Sequence, residues 1–158
     1  MSKATLLLAA LLLFPLHSLA LERISPEGAP ITVYQTDEEF AFVKEMLEMA
    51  IIGQGLVITS TLQISDLYQR AAADLGHPES YYERAEAFEF CSIRVSFLMS
   101  AADLGNLAVC PLTIAFYQPS GESHVHISYR KQALLGDAAE AEAALHQLLD
   151  GIVREALE

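Results

Sequence analysis

The chain has 158 residues, 21 of them acidic against nine basic, for a net charge of −12 with histidine neutral. A field of that sign repels phosphate backbones and anionic lipid headgroups, so nucleic acid and acidic membrane surfaces are excluded as expected partners, while neutral or basic ones remain open. The length suits a single domain, and no internal repeat or long linker divides it.

Residues 1–20 read as a signal peptide. Lys3 supplies the positive start, residues 6–16 the apolar middle, and Ser18-Leu19-Ala20 the small residues that a signal peptidase accepts, with cleavage expected after Ala20. A spanning helix needs about 20 apolar residues; this run is shorter and is interrupted by Pro15, so no stable membrane span is expected after cleavage. No cysteine lies near the cut to carry a lipid. The expected destination is the periplasm. Lys3 is the one charged residue removed, so the 138 residues left carry −13.

Residues 21–30 hold Pro26, Gly28 and Pro30 and read as a coil lead-in to a single domain over 31–158. Ile31-Thr32-Val33-Tyr34 is a first strand. Thr36 followed by Glu39 has the spacing of a capping box, opening a helix whose inward stripe is Phe40, Val43, Leu47, Ala50 and Ile51. Gly53 and Gly55 end it. Residues 56–64 are rich in Val, Ile and Thr, as a second strand would be. Ser65 is placed to cap a second helix over 66–75, while 78–85 reads equally as a loop or a helical turn.

Residues 87–90 form a third strand with Phe88 and Phe90 on one face, and Ser92 can cap a third helix with Val95, Leu98, Met99 and Ala102 inward. Residues 109–117 and 123–129 flank Pro119-Ser120-Gly121-Glu122, which predicts a hairpin with Ser120-Gly121 at its tip. A two-residue loop pairs Phe116 with Val125, Ile114 with Ile127 and Leu112 with Tyr129. Period-two alternation then sets Cys110 inside with Leu112 and Ile114. His124 falls opposite Tyr117 and His126 opposite Ala115, on the other face. Asp137 and Glu140 form a second capping box before a last helix with Ala141, Leu145, Leu148, Ile152 and Val153 inward. The predicted fold is α+β: one mixed β-sheet of about five strands packed against helices, ending in a β-hairpin and a C-terminal helix.

Cys91 and Cys110 are the two cysteines, 19 positions apart. In an oxidising compartment a disulfide is the default for such a pair, and two separate thiols are the alternative. Cys91 sits where a strand feeds a helix, and a helix start can lower a thiol pKa, so a thiol-based redox or cofactor role is a second reading. There is no Cys-x-x-Cys motif to strengthen it. His124 and His126, two apart on a strand, could share a metal ion, but about three protein ligands are needed and no spaced third appears; an ordinary pair of surface histidines is the plainer reading. Ser92, Ser96 and Ser100 line one helix side rather than a nucleophile elbow. Gly53-x-Gly55 precedes a strand, where a dinucleotide loop would precede a helix. No catalytic set and no cofactor motif emerge.

Phe90-Cys91-Ser92, then Asp103 and Asn106, then the run from Cys110-Pro111 through Tyr117, and finally Tyr129-Arg130 resemble the family called domain of unknown function 302. The likeness is best over 88–130 and says nothing of the last helix. It implies a compact α/β sandwich, commonly self-associating and exported in some bacteria, and it implies no reaction. Cys91, Ser92, Cys110, Pro111 and Arg130 are the positions matching its motif. The function these readings support is a non-enzymatic periplasmic module binding a small ligand or a protein, with a homodimer as a further option through an uncovered strand edge at the hairpin.

Overall fold

A computed structural model describes residues 21–77 and 81–158. The expected signal peptide lies outside the described residues, as do the first three residues of the ambiguous stretch 78–85. Among the described residues no helix is long and apolar enough to cross a membrane.

Strand β1 (Glu22–Arg23) is a two-residue edge piece and β2 (Ile31–Thr36) is the first full strand. In β2 the alternate residues Thr32, Tyr34 and Thr36 are buried, which fixes the face it turns to the core. Helix α1 (Phe40–Gly53) buries Phe40, Val43, Leu47, Ala50 and Ile51, the five positions read from its period. The Thr36–Glu39 capping box does not form. Thr36 is held in the β2 ladder opposite Val125, its Oγ1 accepts from the Glu38 amide at 3.3 Å, and Glu39 precedes the helix without a side-chain bond.

Strand β3 (Val57–Gln63) runs directly into α2 (Ile64–Ala72). Gln63 therefore takes the cap position, and Ser65, expected there, lies inside the first turn with no capping bond. Strand β4 (Tyr82–Cys91) begins within the stretch 78–85 whose sequence reads equally as loop or helical turn. Its partner β5 supplies the reason, because Ala85 and Arg84 pair with Tyr117 and Gln118. Ser92 caps α3 (Ile93–Ala102), accepting from the Val95 amide at 3.4 Å, and Val95 and Met99 are buried while Leu98 and Ala102 are half-buried. A 3-10 helix, Leu104–Val109, follows. Then come β5 (Leu112–Pro119), β6 (Val125–Arg130) and α4 (Ala139–Leu157). Asp137 and Glu140 make no capping box. Ala138 precedes α4, and Glu142 Oε1 instead accepts the Leu134 amide at 2.8 Å, tying the approach loop to the first turn. Inside α4, Leu149 rather than Leu148 is buried, between Leu145 and Ile152.

The six strands form one sheet in the order β1-β2-β6-β5-β4-β3. The single-sheet α+β reading holds, but the sheet has six strands where about five were expected, and among the described residues it is not mixed, every ladder being antiparallel. The hairpin β5–β6 lies in the middle, clasped by β4 and β2, so the exposed edges are β1 and β3 and not the hairpin. Its register is two residues from the expected one: Ile114 faces Tyr129, Phe116 faces Ile127 and Tyr117 faces His126. The Ser120-Gly121 turn does close, through the Glu122 amide on the Pro119 carbonyl at 3.2 Å with Gly121 at φ 81°, but residues 122–124 pass before β6 begins. A shift of two preserves the faces. Leu112, Ile114, Phe116, Val125, Ile127 and Tyr129 stay in the core, and His126 stays on the reverse side.

One apolar cluster joins that face to α1, α3 and α4. On the reverse face α2 lies against β4, where Tyr68 meets Tyr82, Tyr82 meets Tyr117, and Tyr117 stacks on His126 at 5.2 Å. The loop between β6 and α4 is pinned by Asn106, which is buried. Its Nδ2 donates to the Met99 and Leu135 carbonyls at 3.0 and 3.1 Å, and its Oδ1 accepts from the Leu135 amide at 2.8 Å. Gly136 in that loop has φ 77°, and a Cβ there would meet the Ala102 carbonyl. Gly136→Ala is therefore expected to destabilise the protein by roughly 2 kcal/mol or more, read as a lower urea midpoint at unchanged slope.

Candidate functional site

The two cysteines are bonded. Cys91 ends β4, Cys110 follows the 3-10 helix, their Cα atoms are 6.1 Å apart, and no described cysteine is free. Cys110 is half-buried rather than inside the core, because β5 begins only at Leu112 and the strand alternation does not reach back to it. Beside the bridge is a groove of about 710 Å³ whose polar rim includes Thr59, Ser92, Arg94 and Gln147. Two of its walls, Val57 and Ile93, are 72% and 70% exposed, which makes it a shelf.

Pro111 and Arg130, the other motif positions, are brought together elsewhere. They line a groove of about 460 Å³ with Ile31, Thr113, Ala115 and Ser128. Tyr129, Arg130, Gln132 and Leu149 are shared with a second hollow of about 340 Å³ that adds Lys131 and His146. The two hollows thus make one bent crevice around Arg130. Arg130 is the last residue of β6 and faces away from the core, as its even-numbered neighbours His126 and Ser128 do. The motif is thereby split: Cys91 and Ser92 border the shelf, Pro111 and Arg130 the crevice, and the disulfide joins the two through the Cys110–Pro111 step.

A cluster that sequence reasoning missed sits behind the crevice wall. Tyr34 and Tyr129 donate their hydroxyls to Asp150 Oδ1 at 2.6 and 2.7 Å. Arg154 Nε donates to Asp150 Oδ2 at 2.8 Å and its Nη2 to the Tyr34 hydroxyl at 3.1 Å. Tyr129 also lies 3.3 Å from His146 Nδ1. Burial alone would raise the Asp150 pKa, but the bonds from Tyr34, Tyr129 and Arg154 outweigh it and hold the carboxyl at about 2. Burial above all pushes the Tyr34 and Tyr129 phenols upward, so both remain donors. The available signal was partial: Asp150 and Arg154 have i,i+4 spacing on a helix, and Tyr34 shares the inward parity of β2.

His124 and His126 stand apart from both grooves. His124 Nε2 lies 3.1 Å from Asp37 Oδ1. His126 stacks on Tyr117, its Nε2 is 3.7 Å from Glu122 and makes no hydrogen bond, and burial lowers its pKa. Among the described residues no three His, Cys, Asp or Glu side chains converge as a metal set. His77 pairs with Tyr81 through Nδ1 at 3.3 Å, far along the chain from the others.

No family model matches the chain, and no curated protein matches it. Among solved structures it is similar to an uncharacterised conserved protein of domain of unknown function 302 from Bacillus stearothermophilus, at TM-score 0.64 and 14% identity, over 80% of this chain and 98% of that one. At that identity the likeness establishes the fold alone, and the fold is that of a domain of unknown function 302 protein, as the Cys91-Ser92 and Cys110-Pro111 motifs led us to expect.

Proposed function

We propose that the mature chain is an exported, non-catalytic module that binds a small ligand in the crevice around Arg130. The observation that carries this reading is the state of the cations. Lys44 pairs with Glu86, Arg154 with Asp150 and Glu158, Arg84 lies over the Phe40 ring, and Arg23 donates to the Pro26 carbonyl. Among the described residues the side chains of Arg70, Arg94, Arg130 and Lys131 have no partner. Two of those four are consecutive and line one concavity, in a chain with more than twice as many acids as bases. The hollows fall within or near the lower part of the size range of small-ligand sites, which runs from about 300 to 1,000 Å³. Arg94, by contrast, stands alone on the open shelf.

Export is supported by the leader pattern and agrees with the bridge, since disulfides persist in oxidising compartments. The test of location is the N-terminus of the protein recovered from a periplasmic fraction, expected at Leu21; an intact Met1 in the cytoplasm would remove this part of the reading. The test of binding is native mass spectrometry of the gently purified protein against its Arg130→Gln variant. A small molecule retained by the first and lost from the second is expected, and retention by both would place the ligand elsewhere.

A further inference from the structure

We infer that the ligand of this crevice is a small amphipathic carboxylate, its head on Arg130 and Lys131 and its hydrocarbon part along Ile31, Val109, Pro111 and Ala115. The inference rests on the binding reading above and adds the chemical class.

The head group follows from charge. The oxygens of two neighbouring carboxylates on α4 are engaged elsewhere. Glu142 accepts the Leu134 amide, and Asp150 is satisfied by two tyrosines and Arg154. Glu142 itself lines the second hollow but makes no ion pair with Arg130 or Lys131, so the crevice sets two unpaired cations against one carboxylate and keeps a net positive charge. Gln132 lines both hollows and adds a neutral donor. An arginine fork matches a carboxylate with two parallel bonds, and a lysine adds a point charge beside it. Phosphate would satisfy the same groups locally. The charge of −13 on residues 21–158 decides between them, because every extra negative charge on the ligand works against the field of the whole chain. A single charge on a small body is the least opposed anion.

The tail follows from the other wall. The hollow holding Pro111 and Arg130 is walled beyond the arginine by Ile31, Val109, Ala115 and Leu149, with Thr113 and Ser128 as its small polar members. Ile31 is 49% exposed, an apolar side chain on the open part of the sheet with room for a cover. Each methylene of a short hydrocarbon buried there raises affinity by about fourfold. Neither half suffices alone: a bare anion wastes the apolar wall, and a bare hydrocarbon leaves the cations desolvated without a partner.

The probes are hexanoate, hexan-1-ol and inorganic phosphate, each titrated into the oxidised mature protein at low ionic strength, with binding followed by calorimetry and by backbone amide shifts. Hexanoate is expected to bind with shifts centred on residues 128–132 and 109–115. Hexan-1-ol is expected to bind at least tenfold more weakly. Arg130→Gln and Lys131→Gln should each weaken hexanoate severalfold to tenfold, and Arg94→Gln should leave it unchanged. Both crevice positions are at the surface or half-buried, and two variants guard against one misfolding. Phosphate binding as tightly as hexanoate at residues 130 and 131 would overturn the carboxylate class while leaving an anion-binding crevice. Equal binding of the alcohol would overturn the role of the cations. No response of the crevice to any of the three probes would overturn the class, and with no retained molecule in the native mass spectra, the binding reading as well.

Discussion

Opening the Cys91–Cys110 bridge is expected to lower the unfolding free energy by about 3 kcal/mol, through loss of the restraint that a closed loop of this length places on the unfolded chain. The loop spans 19 positions and contains all of α3 and the 3-10 helix, which form the connection between the neighbouring strands β4 and β5. Urea unfolding of the native protein with and without reductant, alongside a Cys91→Ala/Cys110→Ala double variant, measures it. The two perturbations should agree in midpoint. The same experiment bears on a redox role, because a working dithiol pair would be reduced by glutathione in the folded state without loss of structure. Here reduction is expected to track unfolding, and a bridge that exchanges freely while the fold stays intact would revive the redox reading.

Asp150→Ala should be the most damaging single change outside the apolar core, at about 3 kcal/mol. Tyr34 and Tyr129 are 1% and 2% exposed, so their hydroxyls would lose the acceptor without gaining water. The asymmetry of hydrogen bonding gives a control: Tyr34→Phe and Tyr129→Phe added to an Asp150→Leu background should recover part of the loss, since no donor is then left unsatisfied. The pH dependence has a definite sign. The Asp150 pKa falls from 3.8 unfolded to about 2 folded, so its contribution is complete above about pH 4 and is lost as the pH drops through 2. Allowing for solvent screening of a carboxylate that is 23% exposed, that contribution is about 1–2 kcal/mol. The difference in stability between wild type and Asp150→Asn should therefore shrink between pH 4 and pH 2. A constant difference over that range would show that the carboxylate charge plays no part.

Periodicity carried more of the fold than end signals did. The stripe of α1 and the two faces of the hairpin could be read directly, because each depends on repeated burial along several residues. The caps of α1, α2 and α4 could not, since each depended on one residue that the tertiary structure placed otherwise: Thr36 in the β2 ladder, Ser65 inside a helix that starts early, and Asp137 one position before the cap, which Ala138 takes. Strand order was equally hidden. Nothing local to β2 says that it pairs with β6, whose sequence is nearly a hundred positions away. The site shows the same division. Cys91 and Cys110 could be paired by compartment and number, and Pro111 and Arg130 could be named by resemblance. Their meeting in one crevice, and the Tyr34–Asp150–Tyr129 cluster behind it, depend on three elements distant in sequence and appear only once α4 is docked.

The pairing of β2 with β6 has a consequence for how such a chain is delivered. Until residue 130 has left the ribosome, the N-terminal strand has no neighbour on its long side, and α4 must follow before the α1 stripe is covered. The N-terminal and C-terminal thirds therefore complete each other only when synthesis is almost finished, while β3, β4 and β5 pair with sequence neighbours earlier. For the export proposed above, that delay would suit passage through a narrow translocon, with the 19-position thiol pair closing locally while the distant halves are still finding one another.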